Sequence, residues 1–329
     1  MHVLMILFNL MIVVEIYKKE KILDYIAINF LKKYDNQRII SIVLLLLVFF
    51  SSMLLTNDVA LITFVPLTII IAKKSNFSPL RIIILETLCA NIGGAMTPMG
   101  NPQNLYIFSK FSLSAFDFFK VAGLVSIAGL IVVLILNIFT PDRKLKFVLE
   151  QPKISLNSNS VIATIIFSAV VISLFFRLDI KLITIVTTIY LIIKQYKTLF
   201  EIDWFLLATF VSFFVLIGNL SEMEFIRNIM KNILSTPHKV YVTSIISSQF
   251  ISNLPAAILI SEFTNEWRSI LVGVNIGGFG TLIASLASVI SYKLYINDFP
   301  KYKGLFLKDF TIINFSFLFF LGVSFYFFV

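Results

Sequence analysis

Two phrases that interrupt long apolar segments decide the fold: "NIGGAMTPMG" at residues 91–100 and "NIGGFGTLIA" at residues 275–284. Glycine, asparagine and threonine are poor choices inside an ordinary apolar helix. Aligned without a gap, the first phrase and the second share four positions: Asn91 with Asn275, Gly93 with Gly277, Gly94 with Gly278, and Thr97 with Thr281. The shared phrase indicates an internal repeat.

The composition is that of an integral membrane protein. Of the 329 residues, 58% are hydrophobic and 14% are charged, and the mean hydropathy is +0.95. A soluble domain cannot bury so much apolar surface. Several segments, such as 118–139 and 306–329, approach or exceed the roughly 20 apolar residues that cross a bilayer. The sequence therefore predicts an all-α polytopic protein of the cell membrane, plasma or inner, in contact with the lipid bilayer.

Several other classes of function are excluded. The net charge is +9, but the basic residues sit in short groups between apolar segments, as in topology signals, so no nucleic-acid partner is expected. The single Cys89 excludes an internal disulfide and a multi-cysteine metal site. His2 is terminal and His238 lies in a loop, and the chain has no HExxH or Ser/His constellation. We expect neither an enzyme nor a resident cofactor.

The order of elements recurs along the chain. Each half has a span, an interfacial helix (23–33 and 222–234), a segment interrupted at an asparagine, a segment interrupted at NIGG, and a closing span. Asn57 in "TNDVA" corresponds to Asn253 in "SNLPAA". We therefore predict a first repeat over 1–139, a cytoplasmic loop over 140–158 and a second repeat over 159–329.

The two halves are predicted to be inverted. The arms around Asn253, 240–252 and 254–263, are too short as helices to cross a core of about 30 Å, so each asparagine is expected at the tip of a re-entrant hairpin. If both hairpins return to their side of entry, most of the 27 basic residues fall on the cytoplasmic side. The predicted fold is therefore a pair of inverted repeats with two re-entrant hairpins and two discontinuous transmembrane helices.

The helix breaks are where chemistry is expected. Unpaired backbone in hydrocarbon costs several kcal/mol per group, so a helix is broken there only where protein or a wet cavity supplies partners. A broken helix offers a positive N-terminal end to an anion and carbonyl groups to Na⁺. Tight helix packing is the alternative explanation; it accounts for Gly93 and Gly94 but not for Thr97-Pro98 and Asn101-Pro102. The pattern favours a solute site in a secondary transporter.

Four motifs together carry a family resemblance: "TNDVALITFVP", "NIGGAMTPMGNPQNL", "SNLPAA" and "NIGGFGTLIASLAS". The chain resembles the ion-transporter superfamily, which includes arsenite permeases, NhaD-type Na⁺/H⁺ antiporters and citrate/dicarboxylate–sodium symporters. The resemblance implies an elevator-type transporter, with Na⁺ or H⁺ as the coupling ion and a small ionic substrate. It also implies that the hairpin tips face unwound stretches at 91–101 and 275–285.

By that resemblance the candidate residues form two pseudo-symmetric sites. The first comprises Thr56, Asn57, Gly93, Gly94, Thr97, Gly100 and Asn101. The second comprises Ser252, Asn253, Gly277, Gly278, Thr281 and Ser285. Na⁺ is expected at Asn57 and Gly93 in the first site, and at Asn253 and Gly277 in the second.

The chain departs from the dicarboxylate pattern in two respects. Those symporters have Ser-Asn-Thr at each tip, whereas Thr56-Asn57-Asp58 and Ser252-Asn253-Leu254 lack the third hydroxyl, which disfavours a di- or tricarboxylate. Family members have about three scaffold helices before the first hairpin, and one precedes it here. We expect either an N-terminally shortened chain or a scaffold completed by a second copy, as in a homodimer.

Two acidic residues fall at membrane depth, where a charge costs at least about 2.5 kcal/mol. Asp58 is a candidate for binding a cation or the coupling proton, or for capping the second hairpin arm. Glu86 is expected either to act in function or to pair with a scaffold residue. The preferred prediction is an ion-coupled transporter of a small anion or oxyanion. The alternatives are a Na⁺/H⁺ antiporter that uses Asp58, and a non-transporting remnant or regulatory subunit.

Overall fold

The computed structural model describes residues 2–152 and 158–329. The part of the loop at 153–157 lies outside the described residues. About 80% of the chain is helical, and the described residues form no strand. The all-helical prediction is therefore confirmed.

The described residues form seventeen α-helices. Those before the loop are α1 His2–Lys19, α2 Ile22–Leu31, α3 Gln37–Leu54, α4 Asn57–Lys74, α5 Leu80–Met96, α6 Pro102–Lys110 and α7 Ala115–Asn137. Those after it are α8 Ser158–Phe176, α9 Ile180–Lys194, α10 Tyr196–Glu201, α11 Trp204–Glu222, α12 Glu224–Ile233, α13 Pro237–Ile251, α14 Asn253–Ser261, α15 Trp267–Gly277, α16 Leu286–Asp298 and α17 Lys303–Tyr326. Helix α10 has no counterpart among the predicted elements.

Within the part of the chain that the structure describes, five segments are long and apolar enough to cross a membrane. They are Gln37–Leu54, Ala115–Asn137, Ser158–Phe176, Trp204–Glu222 and Pro300–Tyr326. Their outward faces carry many large apolar side chains, such as Ile131, Ile165 and Phe319, which are more than half exposed. Such surfaces are suited to lipid rather than water. The prediction of a multi-pass membrane protein is confirmed.

The chain folds into two compact units, each built from segments of both predicted halves. The smaller unit contains Met1–Ile26 and Glu150–Leu216. Within it, α1 packs on α8, α9 and α10. The buried Asn9 amide of α1 donates to Thr184 Oγ1 of α9 at 2.8 Å, so a polar contact ties the apolar helices of this unit together.

The larger unit contains Ala27–Leu149 and Ile217–Val329, and every candidate site residue belongs to it. Two helix pairs, α3–α4 and α13–α14, pack beside α5 and α15, respectively. Helix α16 lies against α4 and α5, and α14 lies against α6. The second helix of each pair therefore contacts the helix that follows the break in the other half: α4 contacts α16, and α14 contacts α6.

Both predicted helix breaks are present, and they are shorter than expected. Helix α5 continues through Asn91, Gly93 and Gly94 to Met96, and α6 resumes at Pro102. Helix α15 includes Asn275 and Gly277, and a 3₁₀ turn at Leu282–Ala284 precedes α16. The expectation that 91–101 and 275–285 are unwound throughout is wrong, since each NIGG phrase forms the last helical turn before the break.

Candidate functional site

The first break is held against the tip of the first helix pair. Thr97 ends α5 and donates its hydroxyl to the Met53 carbonyl of α3 at 2.5 Å. The Asn57 N–H donates to the Gly100 carbonyl at 3.0 Å. Gly94 lies against Gly100 so closely that a methyl group there would meet the Gly100 carbonyl oxygen at 2.8 Å. These contacts bring most of the predicted first-site residues together.

The second break repeats this arrangement with the second helix pair. Thr281 donates its hydroxyl to the Gln249 carbonyl of α13 at 2.9 Å. Ser252 donates its hydroxyl to the Ala284 carbonyl at 3.3 Å. A methyl group added to Gly278 would lie 2.9 Å from Asn253 Nδ2. The predicted second-site residues are likewise neighbours.

The contacts at the two breaks correspond in the threonine bond and in the positions of the accepting carbonyls. Met53 and Gln249 each lie four residues before a tip asparagine, and each accepts from the threonine six residues after a NIGG asparagine. The accepting carbonyls of Gly100 and Ala284 both lie nine residues after that asparagine. The sequence correspondence therefore extends to the threonine bonds and to these acceptors, while the donor differs, being the Asn57 N–H at the first tip and the Ser252 hydroxyl at the second.

The two breaks also bind each other reciprocally. Asn101 donates its side-chain amide to Asn275 Oδ1 at 3.3 Å, and Ser285 donates its hydroxyl to Asn91 Oδ1 at 3.1 Å. Both donors lie ten residues after their own NIGG asparagine and both cap the helix that follows. Asn101 and Ser285, assigned to separate sites, thus each reach into the other half.

Four side-chain amides that belong to this network, three buried and one partly buried, are absent from the predicted sites. Asn91 accepts from Asn57 Nδ2 at 3.2 Å, and its own Nδ2 is buried with no hydrogen-bond partner. Asn275 donates to Asn104 Oδ1 at 2.7 Å. The fourth amide is that of Gln249. Asn91 and Asn275 are the first residues of the two aligned phrases, so the shared pattern could have identified both as site residues.

The glycines divide into two kinds. A methyl group on Gly93 would overlap the carbonyl oxygen of Phe49 in α3, and one on Gly277 would meet Ser248 Cβ at 2.8 Å. These two therefore permit tight helix packing, as the alternative explanation proposes. Gly94 and Gly278 instead face the tip asparagines. The Na⁺ ligands expected at Gly93 and Gly277 stay predictions.

The two acidic candidates lie in different surroundings. Asp58 is half-buried in the first turn of α4, where a negative charge suits the helix dipole. The side-chain cap of α4 is made by Thr56, which accepts from the Val59 N–H at 3.5 Å, and not by Asp58. Glu86 is fully buried and accepts from Thr68 of α4 at 2.6 Å. Its partner is therefore a residue of the first helix pair rather than of the predicted scaffold.

Comparison with known proteins identifies the family of this chain. The citrate transporter family model, CitMHS, matches residues 1–264. An uncharacterized transporter of Methanocaldococcus jannaschii is 35% identical over 88% of this chain and 79% of its own length. The inner membrane protein YbiR of Escherichia coli is 27% identical over 89% of this chain and 79% of its own. A Dictyostelium discoideum protein with the transporter name arsB is 37% identical over 28% of this chain and 17% of its own. The chain belongs to the citrate transporter family and is a membrane-embedded secondary transporter rather than an enzyme.

Proposed function

We propose that this chain is an ion-coupled transporter that moves a small anion or oxyanion by an elevator-type mechanism. The observation that carries the proposal is the reciprocal contact of the two breaks, in which Asn101 reaches Asn275 and Ser285 reaches Asn91. Polar backbone and side chains from both halves converge on one buried place, and discontinuous helices that converge in this way are how secondary transporters hold solutes.

An anion fits the groups that converge there. The helices that begin at Pro102 and Leu286 direct their N-terminal ends toward the network, and such ends favour negative charge. The unpartnered Asn91 Nδ2 is a further donor. With the exception of Asp58, the candidate residues are neutral, so recognition by amides and hydroxyls suits a small ligand with acceptor oxygens.

Inverted repeats and re-entrant hairpins are part of the proposal. The matching threonine bonds and matching acceptor carbonyls at the two breaks support a repeat. Helix α14 has 9 residues, or about 14 Å, which is under half of a 30 Å core. Helices α3 and α4 have 18 residues each, about 27 Å, so the first hairpin would reach deeper than the second. Every candidate residue lies in the larger compact unit, which supports the proposal that this unit moves as a transport domain.

The test is uptake into proteoliposomes of radiolabelled citrate, succinate, sulfate and arsenite, each driven by a Na⁺ or a pH gradient. We expect one of these anions to accumulate, and Asn57→Ala and Asn253→Ala to reduce its uptake at least tenfold, which corresponds to about 1.4 kcal/mol of lost binding. Asn232→Ala, the same substitution at an exposed amide of α12, should retain wild-type uptake. Unchanged uptake in both tip variants would refute the assignment of the sites.

A Na⁺/H⁺ antiporter is the second candidate, because Asp58 follows the tip asparagine and donates its N–H to Asn57 Oδ1 at 3.0 Å. In that case internal pH would respond to added Na⁺ or Li⁺ without any anion, and Asp58→Asn would abolish the response. A chain that moves neither anions nor protons would instead be a non-transporting remnant or regulatory subunit.

A further inference from the structure

We propose that Glu86 is the proton-binding site of this transporter and that its protonation is coupled to the solute site around Asn91. The proposal rests on the proposed function, since it assumes that the network around Asn91 holds the solute. Glu86 precedes Asn91 by five residues on α5, about one and a half helical turns. It is outside both sets of candidate residues.

The carboxyl group is buried and incompletely bonded. Glu86 has no solvent-exposed surface. Oε1 accepts from the Thr68 hydroxyl at 2.6 Å, and Oε2 has no hydrogen-bond partner. An unsatisfied buried polar group is costly, more so when it is charged. Burial with a single hydrogen bond favours the neutral, protonated carboxyl group over the charged carboxylate.

No positive side chain neutralises this carboxyl group. Glu86 forms no ion pair among the described residues. On α5 itself the other ionisable groups are Cys89, one turn away, and Arg81, which donates to the Leu136 carbonyl. Of the helices that contact α5, α4 contributes the Thr68 hydroxyl that bonds Glu86, and α16 contributes Ser291, which accepts from the neighbouring Thr87.

The charged residues of those helices are all partly or fully exposed, unlike Glu86. They are Arg38 on α3; Asp58, Lys73 and Lys74 on α4; Asp117 and Lys120 on α7; Arg268 on α15; Lys293 and Asp298 on α16; and Lys303, Lys308 and Asp309 on α17. An ionised Glu86 would thus be a buried charge without a counter-ion. A proton on Oε2 removes that charge.

The chemistry is one reversible proton transfer. Glu86 takes a proton from water on one side of the membrane, forming an O–H bond on its free oxygen, and returns it to water on the other side. In the arrangement described here the carboxyl group is closed off from solvent, so proton release requires a change of conformation that brings water to it. Such a requirement links protonation to the transport movement.

Three of the helices that carry the solute network, α4, α5 and α16, also contact one another in the region of Glu86. Helices α4 and α5 touch at Asn57–Asn91 and again at Thr68–Glu86. Helices α5 and α16 touch at Asn91–Ser285 and again, next to Glu86, where the Thr87 hydroxyl donates to Ser291 at 2.7 Å. Protonation of Glu86 is therefore coupled to the position of Asn91 through the contacts that hold α5 against α4 and α16.

The first test needs no substrate. Infrared difference spectra of the purified protein, recorded across a pH titration, should contain a carboxylic acid band that is missing in Glu86→Gln and retained in Glu266→Gln, a matched change at an exposed glutamate. If Glu86→Gln does not fold, Thr68→Val serves instead and should move the midpoint of that band. A spectrum unchanged by the Glu86 or the Thr68 substitution would overturn the proposal.

The second test separates driven from undriven transport of the anion found in the proteoliposome panel. Glu86→Gln, which imitates the protonated residue, should lose accumulation driven by a pH gradient, at least tenfold, while anion exchange at equal pH continues. Accumulation that still follows the pH gradient in this variant, or that follows only a Na⁺ gradient in the wild type, would overturn the proposal. If the wild type moves no anion, the proposed function fails, and the infrared titration decides the role of Glu86 by itself.

Discussion

The two helix breaks meet the same physical demand with different side chains. A helix that ends inside a protein leaves up to four carbonyl groups without a partner. At the first break the carbonyls of Gly94, Ala95 and Thr97 accept from the side-chain amide of Asn104 at 2.9–3.3 Å, and the Thr97 carbonyl also accepts from the Gly100 N–H at 3.3 Å. Asn104 comes from α6, the helix that follows the break.

At the second break the amide comes from the opposite direction. Gln249, on the helix that leads into the second tip, donates to the Gly277 carbonyl at 2.7 Å and the Phe279 carbonyl at 3.0 Å. The position that matches Asn104 is Ser288, whose side chain is short, and the position that matches Gln249 is Met53. The two regions therefore share the bonds that a broken helix requires, while the residue that supplies them differs.

The largest expected effect comes from removing these amides. Asn104→Ala leaves the Gly94 and Ala95 carbonyls without a donor, and Gln249→Ala leaves those of Gly277 and Phe279, at about 1–3 kcal/mol for each unsatisfied group. We expect each variant to lose about 3 kcal/mol of stability or more. Unfolding can be followed in detergent with a thiol-reactive fluorophore, because the single Cys89 is buried in the fold.

The comparison of the two breaks supplies a rescue for this experiment. Met53→Gln in the Asn104→Ser background gives the first break the side chains of the second, and we expect it to recover part of the lost stability. Asn232→Ala is the exposed control. A double variant no more stable than Asn104→Ser would show that the two breaks are not interchangeable in this respect.

The sequence was sufficient to locate the breaks but not to show which side chains bond the carbonyl groups at each break. The shared phrases and the tip asparagines predicted which segments meet, because polar groups and glycines in apolar segments need partners. Asn104 and Gln249 could not be assigned, since their bonds cross the break in opposite directions and no shared pattern marks them. The reciprocal contact between Asn91 and Ser285 depends on packing of α5 against α16, which periodicity does not reveal.

The next largest effect should distinguish the two packing glycines. Gly93→Ala would place a methyl group against the backbone of Phe49, with Cα at 2.9 Å, whereas Gly277→Ala would meet mainly the side chain of Ser248. Because backbone yields less readily than a side chain, we expect Gly93→Ala to cost about 2–3 kcal/mol and Gly277→Ala about half as much. The thermal midpoint in detergent measures both.

Gly123→Ala is the matched control for these glycine variants, since its added methyl group would approach only the Met96 side chain, at 3.7 Å. A helical alanine there should be neutral or slightly stabilising. Equal losses of stability in Gly93→Ala and Gly277→Ala would mean that both helix pairs accommodate the added methyl group equally well. The closer α3–α5 contact would then make no difference to stability.

The smallest expected effect has opposite signs in the two tips. Ser252 has φ 73° and ψ 155°, a region in which glycine is favoured, whereas Thr56 in the matching position is extended at φ −162°. Strain of this kind costs of the order of 1–3 kcal/mol, so Ser252→Gly should stabilise the fold by about 1 kcal/mol after loss of the bond to Ala284. Thr56→Gly should destabilise it by a few tenths of a kcal/mol, because only the helix cap is weakened. If the stabilised Ser252→Gly variant also transports more slowly, the strain at the second tip belongs to function, and the two tips differ in role as well as in conformation.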